Sequence, residues 1–234
     1  MRDSGSQLQP RTPAFPRLAL FDLDGTLLDS APDMLATVNR LRSERGEPLM
    51  TLAQLRPHVS KGASAMLAAA FPLLEQLQRE ALVPTFLAQY ERKLAQHGSP
   101  FEGIEAMLHA IEASGNRWGI VTNKPGYLAQ ALLPLLGWQV RCAVLVSGDT
   151  LPVRKPDPLP LLHAAQLLSV DPRDCVYVGD DERDIVAARA ACMPSVVALW
   201  GYRPEGDDPA EWGGDVLAEA PRDLLDPANW PCMS

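Results

Sequence analysis

Short apolar runs alternate with amphipathic stretches along most of this chain. Each run has the length of a strand and ends abruptly in polar or glycine-containing residues, and each stretch between runs has the length of a helix. The alternation predicts an α/β fold: a doubly wound parallel sheet of the Rossmann type, with helices on both faces. The predicted strands are 17–23, 118–122, 143–147, 175–179 and 195–199, and the predicted helices between them are 104–114, 127–136, 157–168 and 183–192.

Residues 30–98 break the alternation because their pattern is helical throughout. Ser30 is the expected N-cap of the first helix and Pro32 suits its first turn. This segment predicts an inserted helical cap of residues 31–98. The cap separates the two parts of an α/β core, at 15–30 and 99–234, and a flexible tail at 1–14 precedes the core. An insert there lies above the carboxyl ends of the strands, where ligands bind in such sheets. The predicted cap helices begin with apolar positions Met34, Leu35, Val38 and Leu41 and continue at 52–59, 63–71 and 75–96.

Net charge and cysteine usage narrow the class of partner. The formal net charge of −8 argues against nucleic acid, which needs a basic surface. No apolar run approaches the roughly 20 residues that span a bilayer, and the first residues lack the apolar core of a secretory signal. The four cysteines are widely spaced, which does not favour a zinc site or a disulfide framework. We therefore expect a cytoplasmic protein that binds neither nucleic acid nor membrane.

The first predicted strand runs into FDLDGT at residues 21–26. Asp22 and Asp24 are two positions apart, so both carboxylates point the same way if the chain stays extended. Two close acids are unfavourable unless a cation or a proton lies between them. This arrangement suits phosphoryl transfer, with Asp22 as the nucleophile and Asp24 as general acid and then base. The alternative is an acidic turn after a strand.

A second acidic segment, GDDERD at 179–184, also follows an apolar strand and opens a helix. Carboxylate oxygens at strand ends are ligands that Mg²⁺ prefers, with water and substrate phosphate completing its shell. Asp180 is the expected direct ligand, and Asp184 could orient water or the loop. For Asp181 and Glu182, the favoured interpretation is that they complement the helix dipole.

Two further segments supply hydroxyl and cationic groups. Thr122 ends the second strand and could bind a phosphate oxygen. Lys155, in the proline-stiffened RKPDP segment at 154–158, could offset carboxylate and phosphate charge together. For Arg154 and Lys124, solvent exposure is the simpler interpretation.

The four motifs together resemble the haloacid dehalogenase superfamily of phosphatases, in its phosphoglycolate-phosphatase-like branch: FDLDGT, VTN (121–123), RKPDP and GDDERD. The resemblance implies that Asp22 is the nucleophile and Asp24 the acid/base, that Thr122 binds the phosphoryl group, and that Lys155 stabilises it. It also implies an Mg²⁺ site formed by Asp22, the backbone carbonyl of Asp24, and Asp180. Members that cleave carbon–halogen bonds or phosphonates lack the second aspartate, so Asp24 counts against both activities, whereas sugar phosphomutases keep it.

A closer likeness is to bacterial N-acetylmuramic acid 6-phosphate phosphatases of peptidoglycan recycling. It rests on SKGASAM (60–66), WGIVTNKP (118–125) and WGY (200–202) with DPAEWG (208–213). The expected partner is a small phosphorylated metabolite, bound by a monomer or homodimer. That sugar phosphate is the first expectation and phosphoglycolate is the alternative. Both substrates carry a carboxylate, which a cap cation could bind. The candidate substrate-binding residues are Asn123, Arg56 and Lys61, with His58 nearby; the alternative for the cap residues is an ordinary solvated helix face. A non-catalytic phosphate-binding module remains the alternative from another class.

Overall fold

The computed structural model describes residues 14–203 and 206–232. The tail predicted for residues 1–14 therefore lies outside the described residues, apart from Ala14. None of the helices within the described ranges is long and apolar enough to cross a membrane.

A six-stranded parallel sheet forms the centre of the molecule, as the alternating pattern predicts. Its strand order is β5-β4-β1-β6-β7-β8, and a separate two-stranded antiparallel ribbon pairs β2 with β3. The strands are Leu18–Phe21 (β1), Leu28–Asp29 (β2), Ser99–Pro100 (β3), Arg117–Val121 (β4), Leu145–Val146 (β5), Cys175–Gly179 (β6), Ser195–Ala198 (β7) and Val216–Ala218 (β8).

Eight α-helices surround the sheet and the ribbon in the described part of the chain. They are Ala31–Ser43 (α1), Leu52–Leu55 (α2), Ala63–Ala70 (α3), Gln76–Glu91 (α4), Ile104–Ala113 (α5), Gly126–Leu135 (α6), Leu159–Leu167 (α7) and Glu182–Ala190 (α8). Short 3₁₀ helices lie at Arg56–His58, Pro172–Asp174, Pro209–Trp212, Pro221–Leu225 and Pro227–Asn229.

Helices cover both faces of the sheet, which follows from the alternation of side chains along its strands. On β1, Ala19 and Phe21 belong to the apolar cluster that includes α5 and α6. Leu18 and Leu20 point the other way, into the cluster that includes α7 and α8. Every β1 side chain is fully buried, so an alternating polar pattern is absent from this strand, as expected for a central strand of a parallel sheet.

The helices α1 to α4 all lie within residues 31–98, which we call the cap segment. The β2–β3 ribbon joins its two ends to the core, pairing Leu28 with Pro100. The Asp33 carboxylate adds a second link because it accepts hydrogen bonds from the backbone N–H groups of His97 and Gly98, at 2.7 and 3.1 Å. The chain therefore enters and leaves the cap segment at one place.

Ser30 is the N-cap residue of α1, as the sequence predicts, but its side chain does not supply the capping hydrogen bond. Ser30 already has a helical backbone conformation, and its hydroxyl makes no capping hydrogen bond. The hydroxyl of Tyr202 takes the place of the Ser30 hydroxyl as acceptor for the start of the helix. It accepts from the Ala31 N–H at 3.0 Å and donates to Asp29 Oδ1 at 2.6 Å. A residue after β7 thus anchors the start of the cap segment.

Candidate active site

The candidate catalytic residues converge because three neighbouring parallel strands end at one edge of the sheet. In the order β4-β1-β6, Phe21 aligns with Ile120 on one side and with Val178 on the other. Thr122, Asp22 and Asp180 follow these strands almost immediately, so their side chains meet where ligands bind in open α/β sheets. The structure confirms the prediction that the motifs lie together at one edge of the sheet.

Lys155 lies at the centre of this cluster. Its ammonium is 3.1 Å from Asp22 Oδ1 and 2.7 Å from Asp184 Oδ1, and it donates to Tyr177 Oη at 2.6 Å. Burial lowers the pKa of Lys155, but the charges of Asp184 and Asp22 outweigh burial and raise it. The side chain therefore stays a cation and offsets negative charge beside the nucleophile.

Asn123 supports the same cluster through the backbone. Its side-chain amide donates to the Lys155 carbonyl at 2.9 Å. Asn123 and Thr122 both line the cavity described below, and the Thr122 hydroxyl accepts from the Lys124 N–H at 3.3 Å. Asn123 holds the Lys155 loop, and its predicted contact with substrate stays a prediction.

Asp180 is fully buried, and three donors from three parts of the chain converge on its carboxylate. Thr26 Oγ and Ser60 Oγ each donate at 2.8 Å, and the Tyr202 N–H donates at 2.9 Å. Burial, together with the charges of Asp22 and Asp184, raises the pKa of Asp180 well above its usual value. A bound cation would favour the ionised form instead.

Two glycines, Gly25 and Gly201, pack against Asp180 where a larger residue would clash with it. A Cβ at Gly25, whose φ is +88°, would lie 2.2 Å from Asp180 Oδ2. A Cβ at Gly201 would lie 2.2 Å from the Asp180 Cβ. The backbone therefore approaches this carboxylate as closely as sterics allow.

Oxygen atoms of Asp22, Asp180 and Asp184 lie within 4.8 Å of one another. Lys155 is the one cation that directly contacts this trio among the described residues, so three buried carboxylates face one positive charge. Burial raises the pKa of Asp184 to about 6. A hard divalent cation fits this donor set and its excess of negative charge.

This trio differs in one member from the predicted metal ligands Asp22, Asp24 and Asp180. The carboxylate of Asp24 turns away from the trio, towards Lys124. The sequence resemblance assigns only the backbone carbonyl of Asp24 to the metal, and that assignment stays a prediction. Asp184, which the sequence placed one helical turn further on, brings its carboxylate into the cluster.

Lys124 is buried, so the interpretation that it is an exposed lysine is wrong. Its ammonium lies 3.0 Å from both carboxylate oxygens of Asp24 and 3.0 Å from the hydroxyl of Tyr90 on α4. Burial lowers the pKa of Lys124, but Asp24 outweighs that effect and raises it. Burial raises the pKa of Tyr90 to about 12, so its phenol stays protonated. The VTN motif at 121–123, which directly precedes Lys124, gave no signal for the role of this lysine.

The loop before α3 contacts the acidic segment that opens α8. Lys61 Nζ lies 2.8 Å from Asp181 Oδ2, and Arg183 donates to the Ser60 carbonyl. Asp181 is the N-cap of α8 and shares a capping box with Asp184, which fits its predicted role at a helix N-terminus. Burial raises the pKa of Asp181, but Arg183 and Lys61 outweigh that effect and lower it.

Arg56 does not line the cavity of the candidate site. Its guanidinium is paired with Asp29 on β2 and lies 5.3 Å from the centre of the Tyr202 ring. His58 lies in a different, shallow groove on the cap segment. Sequence spacing brings both residues near Lys61, but the turn at Arg56–His58 directs them elsewhere. The structure thus separates Arg56 from Lys61, which does line the cavity.

A cavity of about 350 Å³ lies between the sheet edge and the cap segment. Its floor carries Asp22, Asp24, Thr122 and Lys155. Its upper wall is largely apolar, with side chains from α1, α3 and α4: Met34, Met66, Val83, Phe86 and Leu87. The volume is within the range of small-molecule sites.

Comparison with known proteins identifies relatives along nearly the whole chain. Residues 19–198 match the family described as haloacid dehalogenase-like hydrolase. A phosphoglycolate phosphatase of Xanthomonas campestris pv. campestris (strain 8004) is 65% identical over 93% of this chain and 98% of its own length. An N-acetylmuramic acid 6-phosphate phosphatase of Pseudomonas aeruginosa is 43% identical over 90% of this chain and 93% of its own length.

The fold has solved relatives as well. A crystal structure described as a predicted phosphoglycolate phosphatase from Haemophilus somnus 129pt superposes with a TM-score of 0.80. It is 25% identical in sequence and covers 89% of this chain and 96% of that protein.

Proposed function

This chain belongs to the haloacid dehalogenase-like hydrolase family and is a phosphoric monoester hydrolase, and on that premise we propose that it works through an aspartyl-phosphate on Asp22. The observation that supports this proposal is the pairing of the Asp22 carboxylate with the buried Lys155 ammonium, 3.1 Å away, at the floor of the cavity. A carboxylate held beside a cation, with Thr122 and Asp24 on the same floor, is suited to attack a phosphorus atom.

The proposed reaction has two steps. In the first, an Asp22 oxygen bonds to phosphorus, the bond from phosphorus to the ester oxygen breaks, and Asp24 donates a proton to that leaving oxygen. In the second, a water molecule gives its proton to Asp24 and bonds to phosphorus. The bond from phosphorus to Asp22 then breaks, which releases phosphate and restores both aspartates.

The chain's own groups stabilise charge on the transferring phosphoryl group. Lys155 is buried and retains its positive charge, and electrostatic stabilisation is strongest where water is excluded. Asp22, Asp180 and the Asp24 carbonyl would hold Mg²⁺, with Asp184 close by. When bound, Mg²⁺ supplies neutralisation of phosphate charge.

Cavity size favours N-acetylmuramate 6-phosphate as the first candidate substrate. The cavity of about 350 Å³ has room for an amino sugar, whereas phosphoglycolate has a two-carbon leaving group. The apolar wall suits the acetyl and lactyl methyl groups of the sugar. Among the cations that line the cavity in the described ranges, Arg154 alone has no ion pair with a carboxylate. Arg154 is therefore the proposed partner of the substrate carboxylate.

Phosphoglycolate is the second candidate substrate. The observation that favours it is the 65% identity to the Xanthomonas campestris protein that carries the name phosphoglycolate phosphatase. The protein named for N-acetylmuramic acid 6-phosphate is less similar, at 43%. Both candidates share the same chemistry at phosphorus and differ only in the leaving group.

Steady-state phosphate release, with and without Mg²⁺, separates these candidates. The panel contains N-acetylmuramate 6-phosphate, phosphoglycolate and p-nitrophenyl phosphate, with the Asp22→Asn variant as control for contaminating phosphatases. We expect kcat/KM for the sugar phosphate to exceed that for phosphoglycolate by a factor of about 100. The reverse preference would assign the second candidate. A requirement for a bisphosphate activator would identify a phosphomutase and contradict hydrolysis as the main reaction.

A further inference from the structure

We propose that Lys124 is a positioning residue that fixes the carboxylate of Asp24, and that Tyr90 of the cap segment completes this clamp. The inference rests on the proposed function, because it assigns the general acid/base role to Asp24. It adds a residue beyond the four motifs and a contact between the cap segment and the proton-transfer step. We call the three residues Asp24, Lys124 and Tyr90 the clamp.

The clamp uses every donor that Lys124 has. An ammonium has three N–H donors, and three acceptor atoms lie 3.0 Å from Nζ: both Asp24 carboxylate oxygens and the Tyr90 hydroxyl. A cation equidistant from both carboxylate oxygens restricts rotation of the carboxylate about its own axis. Lys124 also lies over the Tyr90 ring, 4.6 Å from its centre, which adds a cation–π contact.

Burial makes the ion pair of the clamp an uncertain source of stability, so its geometry towards the cavity carries the inference. The Lys124 side chain is 3% exposed and that of Asp24 is 14% exposed. Removing both charges from water costs free energy, and apolar residues of similar size often stabilise a protein as well as a buried ion pair does. The Asp24 carboxylate keeps its remaining exposure towards the cavity, where the leaving oxygen and the attacking water must lie. A fixed carboxylate there improves proton transfer, since misplacement by about 1 Å can cost on the order of 100-fold in rate.

Tyr90 connects this geometry to the cap segment. It is on α4, it is 1% exposed, and it stacks on Phe86 with parallel rings 6.1 Å apart. Lys124 and Asp24 belong to the core, on the loops after β4 and β1. The clamp is therefore complete only while α4 rests on these loops. The alignment of the proposed acid/base group therefore depends on the position of the cap segment.

Rapid-quench kinetics on two kinds of substrate test the clamp. p-Nitrophenyl phosphate needs no proton for its leaving group, so phosphoenzyme formation is insensitive to Asp24, while phosphoenzyme hydrolysis still needs a base. For Lys124→Met we expect formation within about threefold of wild type, hydrolysis slower by about 100-fold, and accumulation of close to one phosphoryl group per enzyme. With an alkyl phosphate such as the sugar phosphate, formation should also slow, by a similar factor.

Conservative variants and matched controls complete the design. Lys124→Arg should restore part of the hydrolysis rate, and Tyr90→Phe should show the same pattern as Lys124→Met with a smaller loss, of about tenfold or less. Lys93→Met and Tyr127→Phe, which lie outside the cavity, should behave as wild type. Because Tyr90→Phe removes only one hydroxyl, it keeps the test valid if Lys124→Met fails to fold.

Two results would overturn the clamp. One is wild-type hydrolysis of the phosphoenzyme in both Lys124→Met and Tyr90→Phe. The other is an equal loss of formation and hydrolysis on p-nitrophenyl phosphate, which would indicate a general structural role. Absence of a phosphoenzyme in the wild-type protein is a different result, because it would contradict the proposed function itself.

Discussion

At the scale of single residues, the site is defined by carboxylates that lie close together away from water. Asp22, Asp180 and Asp184 approach within 4.8 Å, and burial raises the pKa of both Asp180 and Asp184. Like charges at this distance repel unless a cation or a proton intervenes. Replacing one of them is therefore expected to affect function far more than folding.

Asp22→Asn keeps the shape of the side chain and removes the proposed nucleophile. We expect phosphate release to fall by at least about a thousandfold, since loss of a nucleophile removes the covalent route. The thermal midpoint without metal should not fall, because one of three mutually repelling charges is removed. Phosphate assays and circular dichroism melts measure the two effects. Retention of more than about one per cent of the wild-type rate would contradict the covalent role.

Gly25 tests how tightly the backbone surrounds Asp180. In Gly25→Ala, the Cβ would lie 2.2 Å from Asp180 Oδ2 at a φ of +88°. We expect a loss of about 2 kcal/mol or more in unfolding free energy, together with weaker Mg²⁺ binding. Gly46→Ala is the matched control: its φ is +68° and it has no atom within 4 Å of the added Cβ, so only the conformational cost of about 1 kcal/mol applies. If urea unfolding gives the same loss of unfolding free energy for Gly25→Ala and Gly46→Ala, a steric clash with Asp180 is contradicted.

Arg154 and Lys61 distinguish substrate binding from docking of the cap segment. Lys61 is paired with Asp181 at 2.8 Å, whereas Arg154 is exposed at the cavity and has no such partner among the described residues. In Lys61→Met we expect kcat/KM to fall by the same factor, about threefold to tenfold, for p-nitrophenyl phosphate and for the carboxylated substrates. In Arg154→Met, kcat/KM should fall only for the carboxylated substrates, by about 10- to 100-fold. A selective loss in Lys61→Met would instead support its predicted contact with substrate.

Residue types and spacing predicted that the motifs lie at one edge of the sheet, but they did not predict the contacts between distant segments. Asp22, Thr122 and Asp180 could be placed together because parallel strands end at one edge. The burial of Lys124 could not be predicted, because its partner Tyr90 is on a cap helix that is distant in sequence. The charge of Arg56 led to the prediction that it binds substrate. Its ion pair with Asp29 on β2 could not be predicted either, because the two residues are distant in sequence.

At the scale of secondary structure elements, strands with apolar patterns were predictable, including the short edge strand β5 within 143–147, whereas β8 and the β2–β3 ribbon were not. β8 pairs with the edge of the sheet beside β7 through three residues, and Leu217 within it is 43% exposed. Such a short, half-exposed segment has no clear periodicity. The β2–β3 ribbon has two residues per strand and was missed for the same reason. The N-cap position of α1 was predictable, but the tertiary contact from the Tyr202 hydroxyl to the Ala31 N–H was not.

At the scale of the whole molecule, the cap segment and the core share the candidate site. Ser60 from the cap segment donates to Asp180, and Tyr90 contacts Lys124. Movement of the cap segment would therefore alter both the predicted metal site and the clamp. The domain bounds, the cytoplasmic location and the monomeric or homodimeric state stay predictions.

Mg²⁺ should stabilise the whole molecule, because it binds the folded site and not the unfolded chain. At a concentration 100 times its Kd, the gain is about 2.7 kcal/mol, which corresponds to a rise of roughly 5–10 °C in Tm for a chain of this size. Asp180→Asn should abolish most of this rise, while Asp149→Asn, which lies outside the carboxylate cluster, should retain it. Scanning calorimetry with Mg²⁺ and with a chelator measures both. An unchanged rise in Asp180→Asn would contradict the proposed metal site.

Detection of a phosphoryl group on Asp22 tests the proposed covalent intermediate directly. Wild-type protein is mixed with ³²P-labelled substrate and Mg²⁺, quenched in acid within milliseconds, and digested for peptide mapping. We expect acid-stable, hydroxylamine-sensitive label on the peptide that contains Asp22. The label should form and disappear at rates that support turnover, and it should be absent from Asp22→Asn. Turnover at the full rate without label on that peptide, or with label on another residue, would contradict the proposed intermediate.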